Sequence, residues 1–155
     1  IDYGEKRELW EQAIKLFNEN AKALYGTPGE LIIDISDKGY KFNVSIPGGK
    51  GSGINKMKIF CYDLMTICLQ KILNRKIDFL IHDSIIYEGV DERQIAHAIE
   101  QVSVKAKEYD FQYIMTVNSD TIPYEDFSED FNFNDYIKLK LTDDSPSGSL
   151  LGIRY

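Results

Sequence analysis

The chain has 155 residues, of which 43% are hydrophobic and 12% aromatic, with a net charge of −7 and two cysteines. That length and apolar content suit one domain with a sizeable core and exclude general disorder. The acidic balance excludes a DNA-binding face built on bulk positive charge, because phosphate contact draws on Lys and Arg.

No apolar run is long enough to span a membrane, and no signal peptide is evident. Cys61 and Cys68 are too few for a disulfide framework and lack zinc-site spacing, so they read as buried reduced thiols of a cytoplasmic protein. The chain starts at Ile1 and not at Met, and is expected to be part of something longer.

Residues 2–24 read as a helix. Leu9, Ala13, Leu16, Phe17, Ala21 and Leu24 recur at helical intervals, Asp2 and Glu5 have capping-box spacing, and Gly26, Pro28 and Gly29 close it. Residues 31–36 and 40–46 read as strands joined by a tight turn at Lys38-Gly39. Tyr40, Phe42, Val44 and Ile46 alternate with polar residues, which predicts one buried face. After the glycine-rich segment "GGKGSG", residues 54–73 predict a second helix. Its stripe of Met57, Phe60, Cys61, Leu64, Met65, Cys68 and Ile72 is widened by Ile59, Ile67 and Leu69, which predicts burial on more than one side.

The run "DFLIHDS", residues 78–84, predicts a buried strand. Asp91 is placed to cap a third helix that runs to about Tyr109, with Ile95, Ala98, Ile99, Val102 and Ala106 inward. "FQYIMTVNSD", residues 111–120, predicts another buried strand, and the strand–helix–strand order predicts a parallel crossover. The acidic and aromatic stretch "TIPYEDFSEDFNFND" reads as a long loop. Residues 136–141 and 149–155 predict a closing hairpin.

The glycines before the second helix admit two readings. Unpaired N–H groups at a helix start, behind glycines and Ser52, can close on a phosphate. A flexible turn between strand and helix is the plainer alternative. The segment is not a Walker A loop: GxxxxGK[ST] requires Ser or Thr where Gly51 stands and Gly where Val44 stands.

Asp83 ends an apolar strand, where open α/β sheets place ligand-binding groups, and a carboxylate there can hold Mg²⁺; a simple turn cap is the alternative. Lys50 and Lys56 flank the glycine turn and read as solvated. His97 has no partner at metal-ligand spacing and reads as surface or packing.

In this order the motifs resemble the C-terminal half of an ABC-type ATPase head, as in SMC-like and double-strand-break-repair ATPases. They resemble more closely the formerly uncharacterised C-terminal domain of bacterial SMC-like ATPases of three-component ABC systems associated with phage defence. Residues 51–93 carry most of the likeness, and residues 111–120 extend it. "GSGIN" stands where the family has its "LSGGQ" or "LSGGE" signature: Ser52 and Gly53 match, while Gly51, Ile54 and Asn55 differ. "FLIHDS" stands for the Walker B strand, with Asp83 at the magnesium-linked aspartate and Ser84 where the catalytic glutamate is usual. Serine cannot serve as a general base at neutral pH as a carboxylate does, so Glu88, or more weakly His82, is the candidate substitute. "GVDERQ" resembles the D-loop through Asp91, one residue further from Asp83 than usual. Asn118 or Ser119 stands near the switch histidine, and Asn118 can bond a γ-phosphate through its amide.

The resemblance implies an α/β fold: a mixed sheet with parallel strands carrying the Walker B and switch positions, flanked by helices, with antiparallel hairpins. It implies ATP and Mg²⁺ bound by the complete head. Ser52, Gly53, Asn55, Asp91 and Asn118 would contact nucleotide, Asp83 the metal, and Asp83, Ser84 and Glu88 would serve the chemistry. It also implies an N-terminal Walker A lobe, a second head, a coiled coil re-entering through the first 25 residues, and DNA reached through the full assembly. The alternatives are an ATP-gated interaction module that hydrolyses little, and a metal-dependent nuclease using Asp83, Glu88 and Asp91.

Overall fold

The computed structural model describes residues 3–47, 51–142 and 144–152. Gly48, Gly49, Lys50, the Asp2 and Glu5 capping pair, and the last three residues of the expected closing hairpin lie outside what is described.

Three helices pack on one another and carry two small sheets. Helix α1 (Tyr3–Tyr25) buries Ala13, Leu16, Phe17, Ala21 and Leu24 along one stripe, as the helical spacing of these residues requires. It ends where the Gly26 N–H donates back to the Lys22 carbonyl at 2.8 Å. Strands β1 (Glu30–Ser36) and β2 (Gly39–Ser45) then form an antiparallel hairpin, with Leu31 opposite Val44 and Ile35 opposite Tyr40. Helix α2 (Ser52–Ile72) is the central element. Its Met57, Phe60, Cys61, Leu64 and Cys68 are fully buried. Burial pushes the Cys61 and Cys68 thiols up to about 12, so both stay protonated and inert.

Strand β3 (Phe79–His82) and strand β4 (Gln112–Met115) pair in parallel, joined through helix α3 (Glu92–Tyr109). This is the expected crossover. Asp91 caps α3, its carboxylate accepting the Arg93 N–H at 3.1 Å. Beyond β4 the chain is irregular. Phe127 and Phe133 stack at 5.6 Å between ring centroids, Phe131 and Tyr136 at 5.1 Å, and Glu100 of α3 accepts the Ser128 N–H at 2.6 Å. These contacts tie the expected long loop to the third helix.

The structure corrects several expectations. Among the described residues there is no single mixed sheet but two separate two-stranded ones. The hairpin face is buried only at its base: Leu31 and Ile46 are inside, while Tyr40 and Phe42 are each 48% exposed. The base lies against α1, and edge-on ring contacts of Tyr40 with Trp10 of α1 and of Phe42 with Tyr62 of α2 hold the rest of it. The expected buried strands are shorter and covered on one face only. Leu80 and Tyr113 turn toward the helices, while Phe79, Ile81 and Ile114 are 58%, 54% and 39% exposed. On α2, Ile59 and Ile72 are exposed, so the stripe is narrower than predicted. Residues 136–141 and 149–152 form no strand; the Thr142 N–H donates to the Gly148 carbonyl at 3.0 Å where the segment turns back.

Candidate functional site

The start of α2 meets the loop before α3. Ser52, Gly53 and Ile54 face Gly89, Val90, Asp91 and Gln94 across a cleft of about 520 Å³, with Tyr25 and Pro47 at its side. Gly53 is required by this meeting. A Cβ there would collide with the Gly89 carbonyl and crowd the Val90 Cα at 3.2 Å. Gly89 is required as well, because its φ of +69° lies in the left-handed region that side chains disfavour. The bare backbone at Gly53 therefore lets the residue 89–91 loop sit on the helix start. The N-termini of two long helices face the same cleft: no side chain caps the first turn of α2, whereas at α3 Asp91 accepts the Arg93, Gln94 and Ile95 N–H groups.

Replacing Gly53 by alanine is expected to destabilise the protein by about 1–3 kcal/mol, the cost of forcing extra volume into a filled contact. Thermal unfolding measures it, and an unchanged transition would show that the loop is not seated on the helix.

Asp83 does not line this cleft. It stands just past the C-terminal end of β3, exposed, with one carboxylate oxygen accepting the Ile85 N–H at 3.1 Å and the other the Thr116 hydroxyl at 3.0 Å. The Thr116 oxygen in turn accepts the Ser84 N–H at 3.2 Å. The Ile85 amide and then the Thr116 hydroxyl hold the Asp83 carboxyl below its ordinary range, so it is ionised at neutral pH. Ser84 opens a short 3₁₀ turn, Ser84–Ile86. Glu88 is exposed and engaged by Lys56, whose ammonium donates to the Glu88 carbonyl at 2.9 Å and reaches its carboxylate at 3.4 Å. The Asp91 carboxylate turns onto the Arg93 guanidinium at 3.1 Å, which holds it below its ordinary range.

Asn55 faces elsewhere. It accepts from Lys58 at 3.4 Å and lines a separate groove with Phe42, Val44 and Ile59. Asn118 precedes the short turn Ser119–Thr121, exposed and without a side-chain cap bond. His97 is exposed and lies 3.4 Å from the Leu24 carbonyl, in agreement with a surface or packing role.

The structure thus gathers Ser52, Gly53 and Asp91 around one cleft and ties Glu88 to the same helix. It keeps Asp83 and Ser84 at the strand end with Thr116, and leaves Asn55 and Asn118 apart. No three His, Cys, Asp or Glu side chains converge as a metal cage among the described residues, which removes the support for Asp83, Glu88 and Asp91 as a joint nuclease centre. A single ionised carboxylate beside a hydroxyl does fit Mg²⁺, which keeps several waters and takes one or two carboxylates plus phosphate oxygens.

His82 is not available as a base. It is 7% exposed and packs at 5.5 Å from the Phe60 ring. Its Nε2 is 3.1 Å from an Asp63 carboxylate oxygen, its Nδ1 is 2.9 Å from the Tyr113 hydroxyl, and that hydroxyl is 2.6 Å from the one on Tyr87. Burial pushes the Tyr87 phenol up to about 12 and Tyr113 higher, so both remain hydroxyl donors. Thr116, Asp63, Tyr87 and Tyr113 escape a sequence reading. Only the register that sets His82 opposite Met115 brings Thr116 beside Asp83.

This arrangement is that of an SMC-head-like α/β fold. The structure described as "Crystal structure of the SmcHead bound to the C-winged helix domain of ScpA" matches with a TM-score of 0.54 at 16% identity, over 74% of this chain and 36% of that chain. This chain therefore spans about a third of that head's length, and the likeness is one of fold. The chain belongs to the family described as "Uncharacterised protein conserved in bacteria (DUF2326)", which matches residues 20–155. No curated protein matches it. No helix among the described residues is long and apolar enough to cross a membrane.

Proposed function

We propose that this chain is the C-terminal half of an SMC-like ATPase head. The observation that supports it best is the cleft in which Ser52 and Gly53, at signature positions, face the residue 89–91 loop at D-loop positions. In this reading the α2 start and the Ser52 hydroxyl bind the γ-phosphate of ATP carried by a second head. Asp83, ionised and fixed by Thr116, holds the Mg²⁺ that the nucleotide brings. Asp91 shapes the loop between the two. Positioning and charge stabilisation account for most of the rate enhancement in phosphoryl transfer.

The uncovered face of β3 and β4 fits the same reading. Parallel strands are normally covered on both faces. Here Phe79, Ile81 and Ile114 are bare, and the N-terminal Walker A lobe is the cover we assign to them. The SmcHead structure carries a winged-helix domain of another protein, so a protein partner on the head surface belongs to the proposal. Contact with DNA and a role in phage defence belong to the full assembly and rest on family resemblance.

One observation favours the low-turnover alternative, an ATP-gated interaction module. Glu88, the first carboxylate after the Ser84 position, is held by Lys56. Both readings require ATP-dependent head engagement. In the full-length protein, ATP is expected to shift the mass from one copy to two, and Ser52→Arg is expected to abolish the shift without unfolding the head. Light scattering with and without ATP decides it; a mass indifferent to nucleotide in the unmodified protein overturns the reading.

A further inference from the structure

The segment from Asp83 to Asp91 holds every acidic group that the proposed function uses, and it is fastened at both ends to one helix. At the far end the Gly89 backbone rests on Gly53, and Lys56 grips Glu88. At the near end the fastening is buried and polar. His82 joins Asp63 of α2 to Tyr113 of β4, and Tyr113 joins Tyr87 within the segment. A carboxylate only accepts, so His82 Nε2 donates to Asp63; in the neutral ring Nδ1 then accepts from Tyr113, and Tyr113 from Tyr87. Both His82 ring nitrogens and the Tyr113 hydroxyl are thereby matched, in a place where an unmatched group is costly. Between the fastenings the backbone is stiff: the Ile86 N–H donates to the Asp83 carbonyl, Tyr87 to Ser84, and Val90 to Tyr87.

We infer that Asp63, His82, Tyr113 and Tyr87 are positioning residues, a relay that locks the residue 83–91 segment in register with the helix whose N-terminus bears Ser52. None of the four need touch nucleotide. A shift of α2 moves Asp63 and, through His82, the backbone that ends in Asp83. It moves Gly53 and, through Gly89, the loop that ends in Asp91. The inference rests on the proposed ATPase reading for its consequence but not for its geometry.

The test uses the full-length protein with Asp63→Ala, Tyr113→Phe and the double variant. The first readout is amide hydrogen exchange without nucleotide. Asp63→Ala removes the bond to His82 and Tyr113→Phe removes both bonds of the Tyr113 hydroxyl, so in each exchange across residues 83–91 is expected to rise roughly tenfold while α3 keeps its protection. The second is steady-state ATP hydrolysis, where kcat is expected to fall roughly tenfold with KM unchanged, and the double variant to fall no further than the worse single one, because both act through His82. Exchange that stays unchanged across residues 83–91 overturns the relay. Faster exchange with undiminished kcat overturns its positioning role, as do losses that multiply in the double variant. A wild-type protein that neither binds nor hydrolyses ATP overturns the ATPase reading instead, and exchange alone then decides the relay.

Discussion

Replacing Phe60 by alanine should cost the fold about 3–5 kcal/mol, the range for emptying a large buried aromatic site. Phe60 is fully buried on α2 and lies against the His82 ring. α2 packs against α1, α3 and β3, so the core on every side loses dispersion contacts together. The cavity cannot collapse easily, because the neighbouring His82 is pinned by Asp63 and Tyr113. For a chain of this size the unfolding midpoint should fall by roughly 2–4 °C for each kcal/mol lost. Urea and thermal unfolding of the purified chain measure the effect. A loss under 1 kcal/mol would mean that α2 is not the central packing element.

In the full-length protein, Asp83→Asn is expected to lower ATP hydrolysis about a hundredfold or more, the scale of removing one charge-stabilising group from such a site. Asparagine keeps the shape and an oxygen for the Ile85 amide, but it cannot carry the charge that holds Mg²⁺. Thermal unfolding should therefore stay where it was, which separates a lost function from a lost fold. Hydrolysis at the wild-type rate in the Asn variant would remove Asp83 from the chemistry. Measured beside it, Ser84→Glu separates the two readings of the site. A large gain in turnover identifies a head whose hydrolysis is slowed by the missing carboxylate. An unchanged or lower rate points to a base supplied from elsewhere, and Glu88→Gln then asks whether Glu88 leaves Lys56 to serve.

Much of the fold was legible one segment at a time. The periodicity of Leu16, Phe17, Ala21 and Leu24 announced α1, Lys38-Gly39 announced the hairpin turn, and Asp91 was recognised as the cap of α3. These features depend on residues within a few positions of one another, so a string of letters contains them. The glycines were legible as a place where backbone is approached, but not as to what approaches. The structure brings in the loop at Gly89, 36 positions beyond Gly53 by their numbers. The misreadings have a shared cause. An alternating run such as that in β2, or a short unbroken apolar one such as that in β3, states which residues can face together and not whether anything covers them. Tyr40 and Phe42 lie beyond the end of the covered base, and Phe79 and Ile81 lie on the face turned from the helices.

The sequence by itself determined three helices, an antiparallel hairpin and a parallel crossover, and with them a strand ending in Asp83 and a helix opening at Ser52. Tertiary structure alone decided that Thr116 grips Asp83 across 33 positions, that Gly89 rests on Gly53, that Lys56 takes Glu88, and that His82 turns inward to Asp63 and Tyr113. The reason is physical. Helix period, caps and turns follow from local sterics and hydrogen bonding. Which distant groups meet is set by strand register and by the packing of α2 against its neighbours, and those depend on the whole core at once.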